Sequence, residues 1–132
     1  MKISDHEINT LTEQAWAARK FARLYGKTAV GAAVLSSRGH IYVGCNIEHR
    51  FRAHDVHAEV NALTTMAANG DGPATAVVIA AARDQFTPCG GCLDWIFELG
   101  SPDCLVIFTG SPAPDWAPVV LRADELMPHY PH

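Results

Sequence analysis

Two short segments of the sequence carry side chains that could bind a metal and do chemistry on it. Residues 57–59 read His-Ala-Glu, and residues 88–92 read Pro-Cys-Gly-Gly-Cys. An imidazole and two thiolates supply three of the four ligands of a tetrahedral Zn²⁺, and a catalytic zinc site keeps the fourth position for water. The two segments therefore predict a catalytic zinc ion bound by His57, Cys89 and Cys92.

Glu59 stands two residues after His57, near the predicted metal but with no need to bind it. A carboxylate in that position lies within hydrogen-bond reach of a water molecule on the metal and can relay its proton. Zn²⁺ lowers the pKa of such a water to about 7, so the relay can work at neutral pH. The order His-x-Glu, then Pro-Cys-x-x-Cys, resembles the signature of the zinc deaminases, in which the glutamate is the general acid and base.

Other interpretations of the cysteines are a redox pair or a purely structural zinc. No aromatic residue stands directly before the Cys-x-x-Cys pair, and no thioredoxin-like strand places it early in the domain. A structural zinc would need a fourth protein ligand. Cys45 and Cys104 are formally available, but each lies in an apolar run without a second ligand nearby, and we predict that both are buried core residues.

Length and composition fit one globular domain over residues 1–132. Of these residues 48% are hydrophobic and 18% are charged, and the net charge is −4. The size allows a hydrophobic core of its own, and the acidic balance argues against a polynucleotide partner. No apolar run is long enough for a signal peptide or a membrane span, so we expect no membrane partner and a cytoplasmic location, where thiols stay reduced.

Periodicity and turn residues predict the elements that must position these side chains. A capping-box pattern at Ser4 and Glu7 starts a helix, which we expect to run to Tyr25 and end at Gly26. Helices that alternate with buried strands predict a three-layer α/β/α sandwich of the α/β class, with parallel strands in the second half. The full prediction is a helix over 5–25, a strand hairpin over 29–35 and 40–45, a helix from about 57 to 69, a strand over 75–82, a helix up to 99, a strand over 103–109, a short strand over 119–121 and a short helix over 122–127.

Both metal segments fall at the predicted starts of helices, near His57 and just before Leu93. The positive ends of two helices would then face the ion, where they help to keep the thiolates ionised and oriented.

A wider set of motifs resembles the cytidine deaminase family in its short, single-domain form. The set comprises Val-Gly-Ala-Ala-Val at 30–34, Gly-Cys-Asn-Ile-Glu at 44–48, the two metal segments and Glu-Leu-Met-Pro at 125–128. The similarity covers the chain from about Ala15 to its end. The resemblance implies a five-stranded mixed sheet between helices, a homotetramer whose active sites are completed by neighbouring subunits, and a role in pyrimidine salvage.

The resemblance also implies a reaction and a set of roles. Members of the family hydrolyse the exocyclic amine of cytidine or deoxycytidine, a small-molecule nucleoside, to the uridine product and ammonia. Asn46 and Glu48 match the positions that hold the sugar hydroxyls, and Glu59 would act first as base and then as acid. Ala58 and Cys89 match positions whose backbone groups orient the base.

Four places depart from the family pattern. Residues 49–52 read His-Arg-Phe-Arg in place of Asn-Ala, a small residue and an aromatic, and Thr28 replaces an aromatic. Val60 replaces an arginine, and residues 93–94 read Leu-Asp in place of Arg-Gln. The change at Val60 has a physical account: two thiolates neutralise Zn²⁺, whereas three would leave a negative charge that an arginine could compensate.

The departures leave the substrate open. Phe51 and Arg52 are candidate substrate contacts, although Phe51 could also be a core or interface residue. Arg50 or Arg52 could meet a phosphate or carboxylate on the substrate, but a salt bridge within the fold or at an interface is the favoured interpretation. Two alternatives remain for the whole chain. One is a deaminase of a modified cytosine nucleoside or another amino-heterocycle, as in the related blasticidin S deaminases, and the other is a non-catalytic, zinc-stabilised binding module.

Overall fold

Helices and strands alternate along most of the chain. The computed structural model describes residues 3–84 and 87–130, so the predicted domain limits at residues 1 and 132 lie outside the described part. None of the helices in the described part is both long and apolar enough to cross a lipid bilayer. In chain order the elements are α1 (Asp5–Arg19), β1 (Val30–Ser36), β2 (Ile41–Cys45), a 3₁₀ turn (Arg52–His54), α2 (Ala58–Ala68), β3 (Ala74–Ala81), α3 (Gly90–Leu99), β4 (Leu105–Thr109), β5 (Val119–Arg122) and α4 (Ala123–Leu126).

The five strands form one mixed sheet in the order β2-β1-β3-β4-β5. β1 pairs antiparallel with β2 and β3, β3 pairs parallel with β4, and β5 pairs antiparallel with β4. The hairpin of β1 and β2 and the parallel pair β3 and β4 confirm two predictions. Because α3 joins two parallel strands, the loop that leads from β3 into α3 lies at the carboxyl edge of the sheet.

β3 is buried on both faces, and its side chains alternate between two hydrophobic cores. Ile79 belongs to the core that includes Leu63 of α2 and Ile96 of α3. Val78 belongs to the other core, which includes Leu11 of α1. Because successive residues of a strand point to opposite faces, α1 covers one side of the sheet and α2 with α3 covers the other. This arrangement confirms the three-layer α/β/α fold.

Two glycines allow helices to approach the sheet closely. A Cβ added at Gly31 of β1 would lie 2.0 Å from the backbone oxygen of Ala15 in α1. A Cβ added at Gly44 of β2 would lie 2.6 Å from the backbone nitrogen of Ala62 in α2. Neither contact leaves space for a side chain, so these two positions require glycine and set the spacing of the layers.

The first helix is shorter than predicted. α1 ends at Arg19, well before the predicted stop at Gly26. Beyond it the chain pairs with the segment that follows β2: the Arg23 N–H donates to the Asn46 carbonyl at 3.0 Å, and the Arg23 carbonyl accepts from the Glu48 N–H at 2.7 Å. These bonds satisfy backbone groups that a longer helix would have used, so tertiary pairing outweighs the helical spacing of the side chains.

Candidate active site

The two metal segments come together where two helices begin. His57 is the N-cap of α2, Cys89 is the N-cap of α3, and Cys92 lies in the first turn of α3. His57 Nδ1 is 3.2 Å from Cys92 Sγ and 3.5 Å from Cys89 Sγ, and the ligand atoms of the three residues all lie within 4.8 Å of one another. Tetrahedral coordination with ordinary Zn–N and Zn–S bonds separates the nitrogen and sulfur atoms by about 3.5 Å. The donor set and its spacing therefore fit Zn²⁺.

The two thiols have different surroundings. Cys92 is buried, and burial together with the nearby Glu59 carboxyl raises its pKa far above the ordinary value. Cys89 is exposed, and its sulfur accepts the Cys92 N–H at 3.4 Å at the positive end of α3. Burial disfavours the Cys92 thiolate, so a bound cation must offset it, and metal binding should release a proton from this thiol.

Glu59 is the buried acid beside these ligands. Its side chain lies in the first turn of α2, 3% exposed, and lines the same cavity as His57 and Cys89. Burial raises the pKa of the Glu59 carboxyl. A raised pKa brings the acid and base forms closer in free energy near neutral pH, so this carboxyl can both accept and return a proton.

A cavity of about 360 Å³ lies over Glu59 and the metal segments. A volume of this order suits a small organic ligand of nucleoside size. Ala58, fully buried at the start of α2, forms part of the lining next to Glu59. The remaining lining includes a group of mostly hydrogen-bonding side chains from other parts of the chain, here called the polar wall: Thr28, Asn46, Glu48, Arg52, Asp55 and Arg83.

Asn46 and Glu48 of the polar wall are held by backbone groups. The Asn46 side chain accepts from the Val30 N–H at 2.9 Å and donates to the Thr28 carbonyl at 2.8 Å. One Glu48 carboxylate oxygen accepts from two successive backbone N–H groups, at residues 25 and 26, both at 2.7 Å. The N–H of residue 26 has the largest effect in lowering the pKa of Glu48, which therefore stays ionised. Both side chains are fixed before any ligand binds.

Arg52 links two carboxylates of the polar wall. Its Nη2 is 3.0 Å from Glu48 Oε2, and its Nε donates to Asp55 Oδ2 at 2.8 Å. The other Asp55 oxygen accepts the His49 N–H at 2.7 Å. Arg52 thus forms the salt bridge within the fold that the sequence favoured, while its side chain also faces the cavity.

A family of known proteins shares these features. Residues 5–108 match the family model described as the cytidine and deoxycytidylate deaminase zinc-binding region. The chain belongs to the cytidine and deoxycytidylate deaminase family. It is accordingly an enzyme of the zinc-dependent deaminase class, and its His-Cys-Cys group lies where a zinc ion can be held.

Individual cytidine deaminases are similar over most of the chain. A probable cytidine deaminase of Dictyostelium discoideum is 30% identical over 101 residues, which cover 74% of this chain and 69% of that protein. A cytidine deaminase of Sporosarcina psychrophila is 34% identical over 94 residues, which cover 70% of this chain and 69% of that protein.

Crystal structures of cytidine deaminases share the fold. The Burkholderia pseudomallei enzyme superposes with a TM-score of 0.83 at 29% identity, covering 96% of this chain and 98% of that one. The Mycobacterium leprae enzyme superposes with a TM-score of 0.79 at 27% identity, covering 92% of this chain and 98% of that one. The cytidine deaminase fold expected from the motifs is confirmed.

One predicted substrate residue lies away from the cavity of this deaminase. Phe51 is 62% exposed and is not among the described residues that line the cavity. Its ring stacks on His49 with centroids 5.7 Å apart, and the Arg50 guanidinium lies 5.7 Å from the ring centroid. Within one chain Phe51 therefore belongs to an exposed aromatic and basic cluster, and a substrate contact for it stays a prediction.

Three residues of the polar wall were not predicted as site residues. Thr28 was noted only as a departure from the family motif, and Asp55 and Arg83 belong to no motif. Arg83 lies just after β3, and its Nη2 donates to Thr28 Oγ1 at 3.1 Å. Its position after a strand that precedes the metal segment was the one signal in the sequence, because ligands bind beyond the carboxyl ends of parallel strands.

Cys45 and Cys104 are core residues, as predicted. They are 7% and 1% exposed, and burial raises the pKa of Cys104 to about 12. Within residues 3–84 and 87–130 the metal-binding group consists of His57, Cys89 and Cys92, and neither core thiol joins it. The described residues thus form a three-ligand group, not the four-ligand group of a structural zinc site.

Proposed function

We propose that this enzyme hydrolyses the exocyclic amine of cytidine or deoxycytidine to give the uridine product and ammonia, as part of pyrimidine salvage. One observation carries the proposal: buried Glu59 lies beside the His-Cys-Cys group in a cavity that also contains Asn46 and Glu48. The cavity therefore combines a metal centre and a proton relay with side chains that can bind a sugar.

His57, Cys89 and Cys92 would hold Zn²⁺, which polarises a water molecule and lowers its pKa to about 7. Glu59 would accept a proton from a water molecule at this site and deliver it to N3 of the pyrimidine, while the water oxygen would add to C4. Glu59 would then take the second proton from the oxygen now bonded to C4 and deliver it to the amine, so that the C4=O bond forms as the C4–N bond breaks and ammonia leaves. One carboxyl thus serves as base and then as acid, which its burial and raised pKa support.

The polar wall would hold the sugar. Glu48 is ionised and fixed, so it can accept from a sugar hydroxyl, and the Asn46 amide can accept or donate. Arg52 keeps Glu48 in place through its salt bridge, and we assign it a positioning role in the binding of the substrate. Backbone groups of Ala58 and Cys89, in the cavity lining, would orient the base.

A screen for ammonia release tests the proposal. The rate of ammonia release is measured on cytosine, cytidine, deoxycytidine and modified cytosine nucleosides. The zinc content of the same preparation is measured in parallel. Glu59→Gln keeps the size of the side chain but cannot relay a proton, so we expect it to retain zinc and lose about 10²- to 10⁴-fold in kcat. Glu98→Gln, on the exposed face of α3, is the matched control and should behave as the unmodified chain.

The same screen separates the alternatives. Turnover confined to modified cytosine nucleosides or another amino-heterocycle would replace the cytidine proposal by that of a specialised deaminase. Stoichiometric zinc without ammonia from any compound would favour a non-catalytic binding module. In that case the buried Glu59 beside the metal group would have no chemical role, since a structural zinc site has no open position that needs an acid.

We further propose that the chain acts as a single domain, assembles as a homotetramer and works in the cytoplasm. Large apolar side chains at the surface support self-association, among them Phe21 at 78% and Trp95 at 42% exposure. All four cysteines are free, which suits a reducing compartment. Light scattering of the zinc-loaded enzyme measures the assembly, and a monomeric mass would exclude the tetramer.

A further inference from the structure

The polar wall contains a chain of hydrogen bonds that has no part in the proposed mechanism. Asn46 Nδ2 donates to the Thr28 carbonyl at 2.8 Å, and Arg83 Nη2 donates to the Thr28 hydroxyl oxygen at 3.1 Å. Thr28 therefore joins the guanidinium of Arg83 to the amide of Asn46, and all three residues line the cavity.

The backbone of Arg83 is fixed by tight packing. Its N–H donates to the Ala81 carbonyl at 2.8 Å, immediately after β3. A Cβ added at Gly110, immediately after β4, would lie 2.1 Å from the Arg83 carbonyl oxygen and 2.8 Å from the Trp116 ring. Only glycine fits between these two groups, so the fold itself sets the place of Arg83 at the cavity.

The charges around the cavity indicate what Arg83 can bind. Two thiolates would neutralise Zn²⁺, the positive charges of Arg52 and Arg83 match the negative charges of Glu48 and Asp55, and Glu59, also in the lining, adds no positive charge. No positive charge is left over for a doubly charged phosphate, so a neutral oxygen fits the balance better. A guanidinium has five N–H donors in a planar fork, so it can bind an oxygen of the substrate while it keeps its contact with Thr28.

We propose that Arg83 is a substrate-contacting residue that determines specificity by donating a hydrogen bond to a sugar hydroxyl oxygen of the nucleoside. Thr28 sets the side chain of Arg83 beside Asn46, so the two residues bind neighbouring parts of the same sugar. The inference rests on the proposed function, because it takes Asn46 and Glu48 as the sugar side of the cavity.

The test is steady-state kinetics of Arg83→Met, which keeps an unbranched apolar stem and removes the donors. The substrates are cytidine and its 2′-deoxy, 3′-deoxy and 5′-deoxy analogues. We expect kcat/KM on cytidine to fall about 10-fold, mainly through KM, because a charge-assisted hydrogen bond is lost. On the analogue that lacks the contacted oxygen the substitution should have no effect. Arg83→Lys keeps a donor and should recover part of the loss.

Arg38→Ala, at the exposed turn between β1 and β2, is the control arginine and should leave all four values unchanged. Zinc content and the unfolding midpoint show whether Arg83→Met is folded, and if it is not, Arg83→Lys carries the same comparison. An equal loss on all four substrates, or no loss on any of them, would overturn the role of Arg83. If the unmodified, zinc-loaded chain deaminates no cytosine nucleoside, it is the proposed function that fails.

Discussion

The metal side and the polar wall of the cavity are built in different ways. On the metal side the candidate ligands come from two short segments, each at the start of a helix, and each of the four residues with assigned chemistry lies within three positions of another one. The polar wall is assembled from side chains that follow α1, β2 and β3, and hydrogen bonds between distant residues hold it together. The metal side can therefore be predicted from the spacing of residues in the sequence, whereas the polar wall depends on the fold.

This difference predicts that the two sides can be disabled separately. A change on the metal side should remove zinc and all turnover together. A change in the polar wall should leave zinc in place and alter the binding of the substrate.

The largest effect is expected for Cys92→Ala, which breaks the metal side. Two remaining ligands cannot hold a tetrahedral zinc site, so we expect loss of bound zinc and a fall in kcat of at least about 10³-fold. Metal analysis and ammonia release measure both quantities. Cys45→Ala removes a buried thiol outside the metal group and should keep zinc and turnover. Full activity in a zinc-free Cys92→Ala protein would contradict the assignment.

Glu48→Gln tests the polar wall. The carboxylate accepts two backbone N–H groups and pairs with Arg52, and its pKa is lowered chiefly by the backbone N–H of Gly26. A neutral amide has one accepting oxygen where the carboxylate has two, so we expect kcat/KM for cytidine to fall about 10- to 100-fold with zinc content unchanged. Kinetics on the zinc-loaded variant provide the measurement. A loss of zinc in this variant would show that the two sides are not independent.

Arg52→Ala should have a smaller effect of the same kind. Its guanidinium is half exposed, and solvent weakens its two ion pairs. Glu48 keeps its backbone partners, so we expect KM to rise about threefold and kcat to stay the same. Titration of the initial rate against cytidine measures both constants. If kcat falls and KM does not, Arg52 acts on the reaction itself and not on the position of Glu48.

The smallest effect on turnover is expected at Asp71, far from both sides along the sheet. Burial disfavours its ionised form, but hydrogen bonds from Ser36, Tyr42, Gly72 and His40 outweigh burial and hold its pKa well below the usual range. A lowered folded-state pKa stabilises the fold above the unfolded value of about 3.9, and the contribution is lost as the pH falls through the folded-state pKa.

Asp71→Asn should therefore be less stable than the unmodified chain at about pH 7 and pH 5, with a smaller gap at about pH 3. Urea unfolding at the three pH values measures the gap, and ammonia release should not change. Asp115→Asn, at an exposed position, is the control and should show no gap. A gap that widens towards low pH would have the wrong sign for an ionised Asp71.

Sequence patterns predicted the three layers, the hairpin of β1 and β2, and the parallel pair of β3 and β4. These features depend on the period of apolar residues and on local turns. The length of α1 could not be predicted in this way. Helical spacing continues past Arg19, but the backbone of Arg23 pairs with Asn46 and Glu48 instead. That pairing joins residues more than twenty positions apart, and no local pattern encodes it.

The sequence by itself indicated the metal chemistry of this protein, because the imidazole and the thiolate pair stand at two predicted helix starts and can share one ion when both helices lie on one sheet face. Tertiary structure alone decided how the opposite side is made. It paired Arg52 with Glu48 and Asp55, and it packed Arg83 against Gly110 at the edge of the cavity. The reason is the separation of the residues along the chain. A metal motif consists of residues close in sequence, whereas the polar wall forms only after distant segments have been brought into contact.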